Sequence, residues 1–414
     1  MKILLINHYA GSVYHGMEFR PYYLAREWVK MGHEVIIVAA SFSHLRQKNV
    51  EMYAPIKEEI IDGIKYIWLK TPSYQGNGLG RIMNMLSFLC KLYRYLKHIT
   101  KDFVPDAVIA SSTYPLDSYP ANWIAKKHSA KFVFELHDLW PMSPMVLGNM
   151  SKYHPFIWIM QRGEDYWCRN ADVVISLHPG AYRHLTERGL LIEKFNVVTN
   201  GIEISEWIDI NTPEIPLKHL DCIRSLRKQR KFILGYAGGH SLSNGLELML
   251  EVADILRCEK EISFVFVGQG QQKEDLILRA KKLGLDNVHF LPPIPKRAIP
   301  KFYHYVDALF CCLPRSPLLK FGVVMNKTFE FMIAKKPVVC ANSSTFDPVS
   351  ESACGFTVPS GDAVEMAEKI KEIRKLPESD VLNMATNGYE YVLSNYSYPF
   401  LAQKFINILL KTLN

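Results

Sequence analysis

Short apolar runs without polar alternation, separated by helix-length segments, recur along almost all of this 414-residue chain. Ile3 to Ile6, Glu34 to Ala39, Ile64 to Trp68, Ala107 to Ala110, Lys131 to Glu135, Val173 to Ser176 and Asn196 to Val198 read as buried strands. A strand that lacks alternation has both faces covered, which is the condition of parallel strands sandwiched between helices. The first repeat shows the grammar. After Ile6 comes a loop from Tyr9 to Gly16, then a helix from about Phe19 to Met31 that Gly32 stops, then the strand from Glu34. Strand–helix–strand units with short links build a doubly wound α/β sheet.

The grammar lapses once. Ile204 to Arg230 carries Pro213 and Pro216, many charges and no sustained period, as a domain linker does. It restarts at Phe232 to Tyr236 and continues through Ile262 to Gly268, Val288 to Leu291, Ala308 to Leu313 and Pro337 to Cys340. The spacing predicts helices over about 246–256, 274–283 and 363–375. The reading is therefore two tandem Rossmann-like domains, 1–203 and 231–390, joined by a linker at 204–230. A C-terminal helical segment, 391–414, is expected to pack back on the first domain. Such a length buries two cores comfortably.

Composition excludes several classes. The net charge of +8 and pI near 8.9 permit an anionic partner, but the cations are not gathered into a tail, and no nucleic-acid partner is expected. Eight cysteines without a C-x-x-C pair read as thiols in a reducing cytoplasm, and no metal motif is present. Met1 to Ile6 is too short for a signal segment, and no run of about 18 apolar residues predicts a spanning helix.

The stretch from Lys320 to Ala334 carries the chemistry. An apolar strand, a loop with Gly322, and a helix opening near Asn326 present first-turn N–H groups that lack partners and favour an anion. Lys327 adds a cation and Glu330 a carboxylate one turn later. Phosphate plus a hydroxylated sugar would satisfy both, as in a nucleotide sugar.

Pieces in order along the chain resemble family-4 glycosyltransferases of the two-Rossmann, GT-B type. They include Ala25 to Val35, Pro105-Asp106-Ala107-Val108, Phe134-Glu135-Leu136-His137-Asp138-Leu139-Trp140-Pro141, Asn200-Gly201-Ile202, Phe232 to Gly238, Phe264 to Gly270 and Asn326 to Val339. The resemblance implies two domains facing each other across a cleft, with the nucleotide on the second and the acceptor on the first. The subgroup most similar builds bacterial O-antigen, lipopolysaccharide and capsule chains from UDP-linked sugars, often amino or deoxy sugars, generally with retention. It implies a polyprenyl-diphosphate-linked saccharide as acceptor and no cofactor or metal, with work in the cytoplasm or on the inner face of the membrane.

Carried over by position, Glu330 would accept from the ribose hydroxyls, with Asn326, Met325 and Val324 offering backbone N–H groups. Gly238, Gly239 and Gly268 would admit the donor closely, and His240 and Asn244 are candidate ligands. For His240 a loop histidine with no role is equally open, and for Asn244 a plain turn is. The family usually has a second glutamate where Gly322 stands, and an arginine and a lysine where this chain has Gly238 to Gly245, so Lys327 becomes the candidate phosphate cation. In the first domain, His137 and Asp138 follow a strand, and the family's matching histidine touches the donor sugar. Asp138 is either a base or a helix cap. Tyr14 to Glu18, with His15 and Gly16, replaces the family's glycine-rich first loop as a diphosphate or acceptor contact; Glu18 and Arg20 are candidate acceptor contacts, with a helix-start carboxylate and a surface arginine equally open.

Two further readings remain at this point: a nucleotide-sugar 2-epimerase of the same fold, and a non-catalytic paralogue. A dinucleotide oxidoreductase is disfavoured, since Asn7 to Ser12 lacks Gly-x-Gly-x-x-Gly. Arg81 to Lys101 reads as a basic amphipathic helix that can lie on an anionic bilayer or pack on the core.

Overall fold

The computed structural model describes residues 1–76, 78–208 and 213–413. The chain divides into two compact units, Met1–Gly201 with Tyr398–Asn414, and Ile202–Ser397. Both are α/β.

The first unit holds strands β1 (Lys2–Ile6), β2 (Glu34–Ala40), β3 (Ile56–Ile61), β4 (Ile64–Leu69), β5 (Ala107–Ala110), β6 (Lys131–Leu136), β7 (Val173–Ser176) and β8 (Phe195–Val197). They form one sheet in the order β3-β4-β2-β1-β5-β6-β7-β8. All pairings are parallel except β3 with β4. That antiparallel edge hairpin is absent from the sequence reading above. Its signal was present: Asp62 and Gly63 both have positive φ, 49° and 80°, in the Asp-Gly turn that joins the two runs.

Helix α1 (Arg20–Lys30) covers one sheet face together with a C-terminal helix, and Trp28 donates its indole N–H to Ala402 O at 3.2 Å. Helices α2 (Leu79–Arg94), α3 (Ser118–His128) and α4 (Pro155–Asn170) run between successive parallel strands toward β8. Right-handed crossovers in that direction place them on the opposite face.

The second unit is an all-parallel sheet of β9 (Phe232–Ala237), β10 (Ile262–Val267), β11 (Val288–Leu291), β12 (Ala308–Cys312), β13 (Val338–Ala341) and β14 (Gly355–Val358). The order is β11-β10-β9-β12-β13-β14. Strand order reverses between β9 and β12, as it does between β1 and β5 in the first unit; ligands of doubly wound sheets bind outside the carboxyl ends at such a point.

The stretch expected as linker is in large part structured. Helix α5 (Leu217–Lys228) places Leu220, Ile223 and Leu226 in the core of the second unit, while residues 209–212 lie outside the described residues. Its apolar positions recur at three-residue spacing, a period that the surrounding charges obscured. The expected C-terminal segment 391–414 divides. Residues up to Tyr396 complete the helix Glu378–Tyr396 of the second unit, and Tyr398–Leu413 belongs to the first.

Candidate active site

In the second unit the carboxyl ends of β9 and β10 touch. A Cβ built on Gly268 would lie 1.9 Å from Gly238 O, so only glycine fits. A Cβ on Gly238 would lie 2.1 Å from Lys327 Nζ. The lysine head therefore rests on the bare backbone of Gly238. It donates to Ala237 O at 3.0 Å and stands 5.1 Å from the Tyr236 ring centroid.

Lys327 comes from α6 (Asn326–Ile333), the helix that follows the loop after β12. Its cap residue Met325 makes no side-chain cap bond. Among the described residues, the N–H groups of Val323, Val324, Met325 and Asn326 meet no protein acceptor. Ser344 Oγ donates to Val323 O at 3.3 Å and Thr345 N to Leu319 O at 3.2 Å, which holds the loop in place. The side chains of Val324 and Met325 pack on the core, so these residues offer the site their backbone only. Gly322 has φ 80°, a left-handed conformation that resists the glutamate the family carries there.

Glu330 follows one turn after Lys327. Burial pushes its carboxyl up, against the pull of Lys327 and Lys296, and the Tyr303 hydroxyl lies beside it. Half-buried and short of counter-charge, it is a strong acceptor for hydroxyl donors.

For two candidate ligands the structure favours the alternative left open. His240 is fully buried, its ring among Tyr236, Phe266 and Phe290, and neither ring nitrogen has a partner. Its backbone causes this: His240 N donates to Gln269 O and His240 O accepts from Gln272 N, both at 3.0 Å, which turns the ring inward. Burial and the nearby Lys273 and Lys327 hold its pKa down at about 4, so it is neutral and faces no ligand. Asn244 stitches its own loop, donating to Gly239 O at 2.8 Å and Ser241 Oγ at 3.0 Å. Gly239 is exposed beside it.

In the first unit His137 lies past the end of β6. Its Nε2 is 3.2 Å from Glu135 Oε2 and 3.0 Å from Ser111 Oγ, and Ser111 Oγ donates to the same carboxylate oxygen. The other oxygen, Oε1, accepts from Arg20 Nε at 3.0 Å and Nη2 at 2.9 Å. Arg20 also donates to the carbonyls of Val198 and Thr199. Arg20 was expected at the acceptor or as a surface arginine, and it is neither. It is 2% exposed and fully engaged inside the unit, because Glu135, 0% exposed on a buried strand, requires a cation there.

Burial alone would raise the Glu135 carboxyl; Arg20 and His137 outweigh it and hold it at about 2. Burial would likewise lower His137, but Glu135 beside it, with help from Glu18, raises it above the ordinary 6.5. His137 thus tends toward imidazolium, with Nε2 turned inward and Nδ1 left for a ligand. Glu135→Gln should lower the His137 pKa, read as a lower midpoint of its ring proton in an NMR titration. An unchanged midpoint would show that Glu135 does not set this charge.

Glu18 closes the first loop, its N–H donating to Tyr9 O at 3.2 Å and its carbonyl accepting from Gly11 N at 2.8 Å. Gly16 has φ 92° and packs against Gln47. His15 faces the other way. Its Nδ1 is 2.8 Å from Ser12 Oγ, and its Nε2 is 3.6 Å from Glu59 on β3. The exposed Asp138 carboxylate caps no helix, since the next one starts at Met142 with Pro141 as cap residue.

Sequence reasoning passed over Glu135 and Ser111. An acid inside the otherwise apolar run Phe132 to Leu136 was the available signal, because a charge on a buried strand must find a partner.

Gly268→Ala tests the β9–β10 contact. The methyl has no room beside Gly238 O, and the variant should unfold several degrees lower. Wild-type melting would mean that this approach is relaxed in solution. Among the described residues, no cluster of three His, Cys, Asp or Glu could hold a metal ion, and no helix is long and apolar enough to cross a membrane.

Residues 15–201 match the family described as glycosyl transferase 4-like domain, and residues 223–391 the family described as glycosyl transferases group 1. No curated protein matches the chain in sequence at a significant level. Among solved structures, Anabaena HepE in complex with UDP is 16% identical, over 99% of this chain and 100% of that one, with TM-score 0.66. A sucrose-phosphate synthase from Thermosynechococcus elongatus is 14% identical over 99% and 98%, with TM-score 0.67. An E. coli structure described as trehalose-6-phosphate bound with UDP-2-fluoro glucose is 11% identical over 99% of both chains, with TM-score 0.73. At these identities the structures establish likeness of fold, and the two family matches, which between them take in most of the chain in the order of the two units, show that it belongs to the GT-B glycosyltransferases.

Proposed function

We propose that this glycosyltransferase moves a sugar from a UDP-activated donor to a lipid-linked saccharide, in the assembly of a bacterial surface polysaccharide such as an O-antigen or capsule. The observation that carries the donor half is the start of α6. Four successive N–H groups without acceptors, a lysine laid on Gly238 and a carboxylate one turn later offer sites for a diphosphate and a ribose. Structures similar in fold, among them HepE with UDP, support a uridine nucleotide as ligand.

In this reading Lys327 and the helix N-terminus stabilise charge on the departing UDP, as preorganised donors do. Glu330 takes the ribose hydroxyls, and Gly239 and Gly268 let the nucleotide approach the backbone. His137 meets the donor sugar through Nδ1, and the exposed Asp138 accepts the acceptor's proton. Neither role needs a metal. Retention of configuration, a polyprenyl-diphosphate carrier and a place on the inner face of the cytoplasmic membrane complete the proposal.

Isothermal titration of the full chain with UDP tests the donor site, with dissociation constants of roughly 1 mM or tighter expected. Absence of any heat with UDP, where GDP or dTDP gives binding, would replace the nucleotide. Absence with all three would favour the non-catalytic reading. Incubation with UDP-sugars and a lipid-linked acceptor should release UDP, whereas turnover of a UDP-sugar without acceptor would point to an epimerase.

A further inference from the structure

The basic amphipathic helix expected at 81–101 is α2 only as far as Arg94, with a separate short helix, Leu96–Ile99, after it; the apolar side is spent on the core, where Met85, Phe88 and Leu92 are buried. The opposite side of α2 nevertheless carries a second apolar stripe. Leu79, Met83, Leu86 and Tyr93 are all exposed and recur at helical spacing.

The stripe continues onto two more helices. Tyr93 meets Trp123 of α3 with ring centroids 5.2 Å apart. Tyr119, one turn before Trp123, stacks on Tyr166 of α4 at 4.2 Å and donates its hydroxyl to Arg162 O at 3.2 Å. Arg162 in turn lies 3.9 Å from the Trp158 ring centroid, and Lys127 lies 5.6 Å from that of Trp123. Trp123 is 42% exposed and Trp158 56%. A monomeric surface rarely leaves two tryptophans so open on one face.

Charge on this face is mostly of one sign, with Asp165 of α4, held by Arg188, the partly exposed acid near Tyr119. No Asp or Glu occurs in residues 63–101, 118–134 or 139–163, which include α2, α3 and the first half of α4. Exposed cations stand among the aromatic rings, including Arg94, Lys97, Lys126, Lys127, Lys152 and Arg162. A surface that serves only for solubility mixes both signs.

We propose that the α2–α3–α4 face of the first unit docks on an anionic lipid bilayer. Trp123, Trp158 and Tyr93 sit at headgroup level and the cations meet lipid phosphates. Tryptophan and tyrosine favour that interface because the ring has an apolar body and a polar N–H or hydroxyl, and each nearby lysine or arginine adds attraction to anionic lipid. Charge complementarity selects the occupant: the excess of cations over acids on this face favours an anionic surface over a neutral one. The inference deepens the membrane part of the proposal above, yet it rests on a surface separate from the donor site.

Flotation of the full chain with large unilamellar vesicles tests it. Binding should be strong to phosphatidylcholine vesicles containing about a third phosphatidylglycerol and weak to pure phosphatidylcholine, and should fall in about 0.5 M salt. The double variant Lys126→Gln with Lys127→Gln should bind anionic vesicles roughly thirtyfold more weakly, at about fivefold per cation. Trp158→Ser, at an exposed position, should weaken binding while melting as wild type does. Equal binding to both vesicle types, or binding that neither variant changes, would overturn the assignment. No binding to either would overturn it too and leave the face to an acidic protein. UDP titration of the same variants should be unchanged, so failure of the donor reading stays distinguishable.

Discussion

Lys327→Ala should weaken UDP binding by about tenfold to a hundredfold in isothermal titration, the worth of one hydrogen bond to a charged group. The size follows from what else is present. The loop after β9, where the family has two cations, has none: its histidine, His240, is buried and neutral, and Asn244 bonds within the loop. With Lys327 gone, the diphosphate keeps only the backbone N–H groups of the loop and helix start. Folding should suffer little, because among the described residues the ammonium donates to a single carbonyl, Ala237 O. Loss of affinity with an unchanged melting temperature is the expected pair of results. Affinity within threefold of wild type would assign the phosphate to other groups. A matched fall in both quantities would make Lys327 a packing residue.

Arg20→Met should destabilise the protein by about 3 to 5 kcal/mol in denaturant titration, since it strands a buried carboxylate. Glu135 would keep only Ser111 and His137, and the carbonyls of Val198 and Thr199 would lose their donor. Arg20→Met combined with Glu135→Leu should recover much of the loss, because the stranded charge is then gone. A loss below about 1 kcal/mol for the single change would show that water reaches Glu135.

The same pair dictates an acid dependence. The folded carboxyl titrates at about 2, against an ordinary 4.5. A folded pKa below the unfolded one contributes stability that is present above 4.5 and lost as pH falls toward 2, on the order of 3 kcal/mol in all. His137 has the opposite sign. Its folded pKa lies above 6.5, so its contribution is complete below that and fades as pH rises through the folded value. Wild type should therefore show both an acid limb and a shallower neutral one, and Glu135→Leu should lack both.

Much of the fold was legible because its signals are local. An apolar run bounded by glycine, such as Phe232 to Tyr236, says "buried strand" without reference to anything distant. The helix at 363–375 lies where its period predicts. The boundaries of the two units were less legible, since α5 at 217–228 hides three core leucines and isoleucines among charges. The antiparallel β3 escaped because three adjacent charges, Lys57 to Glu59, interrupt its isoleucines on a largely exposed edge.

For the site, the composition of the stretch 320–334 by itself determined that a cation and a carboxylate share one helix face, one turn apart. The sequence likewise determined that α2, α3 and the first half of α4 would carry no acid. Which side chains are reachable was decided only by tertiary structure. His240 and Lys327 both follow from motif positions, yet the fold buries one ring and lays the other head on a glycine. Arg20 and Glu135 are far apart in sequence, and only the register of β6 beside the start of α1 makes them one ion pair. A local pattern specifies the secondary structure that carries a residue. Burial and partnership arise from segments brought together across the chain, and those set charge, orientation and access.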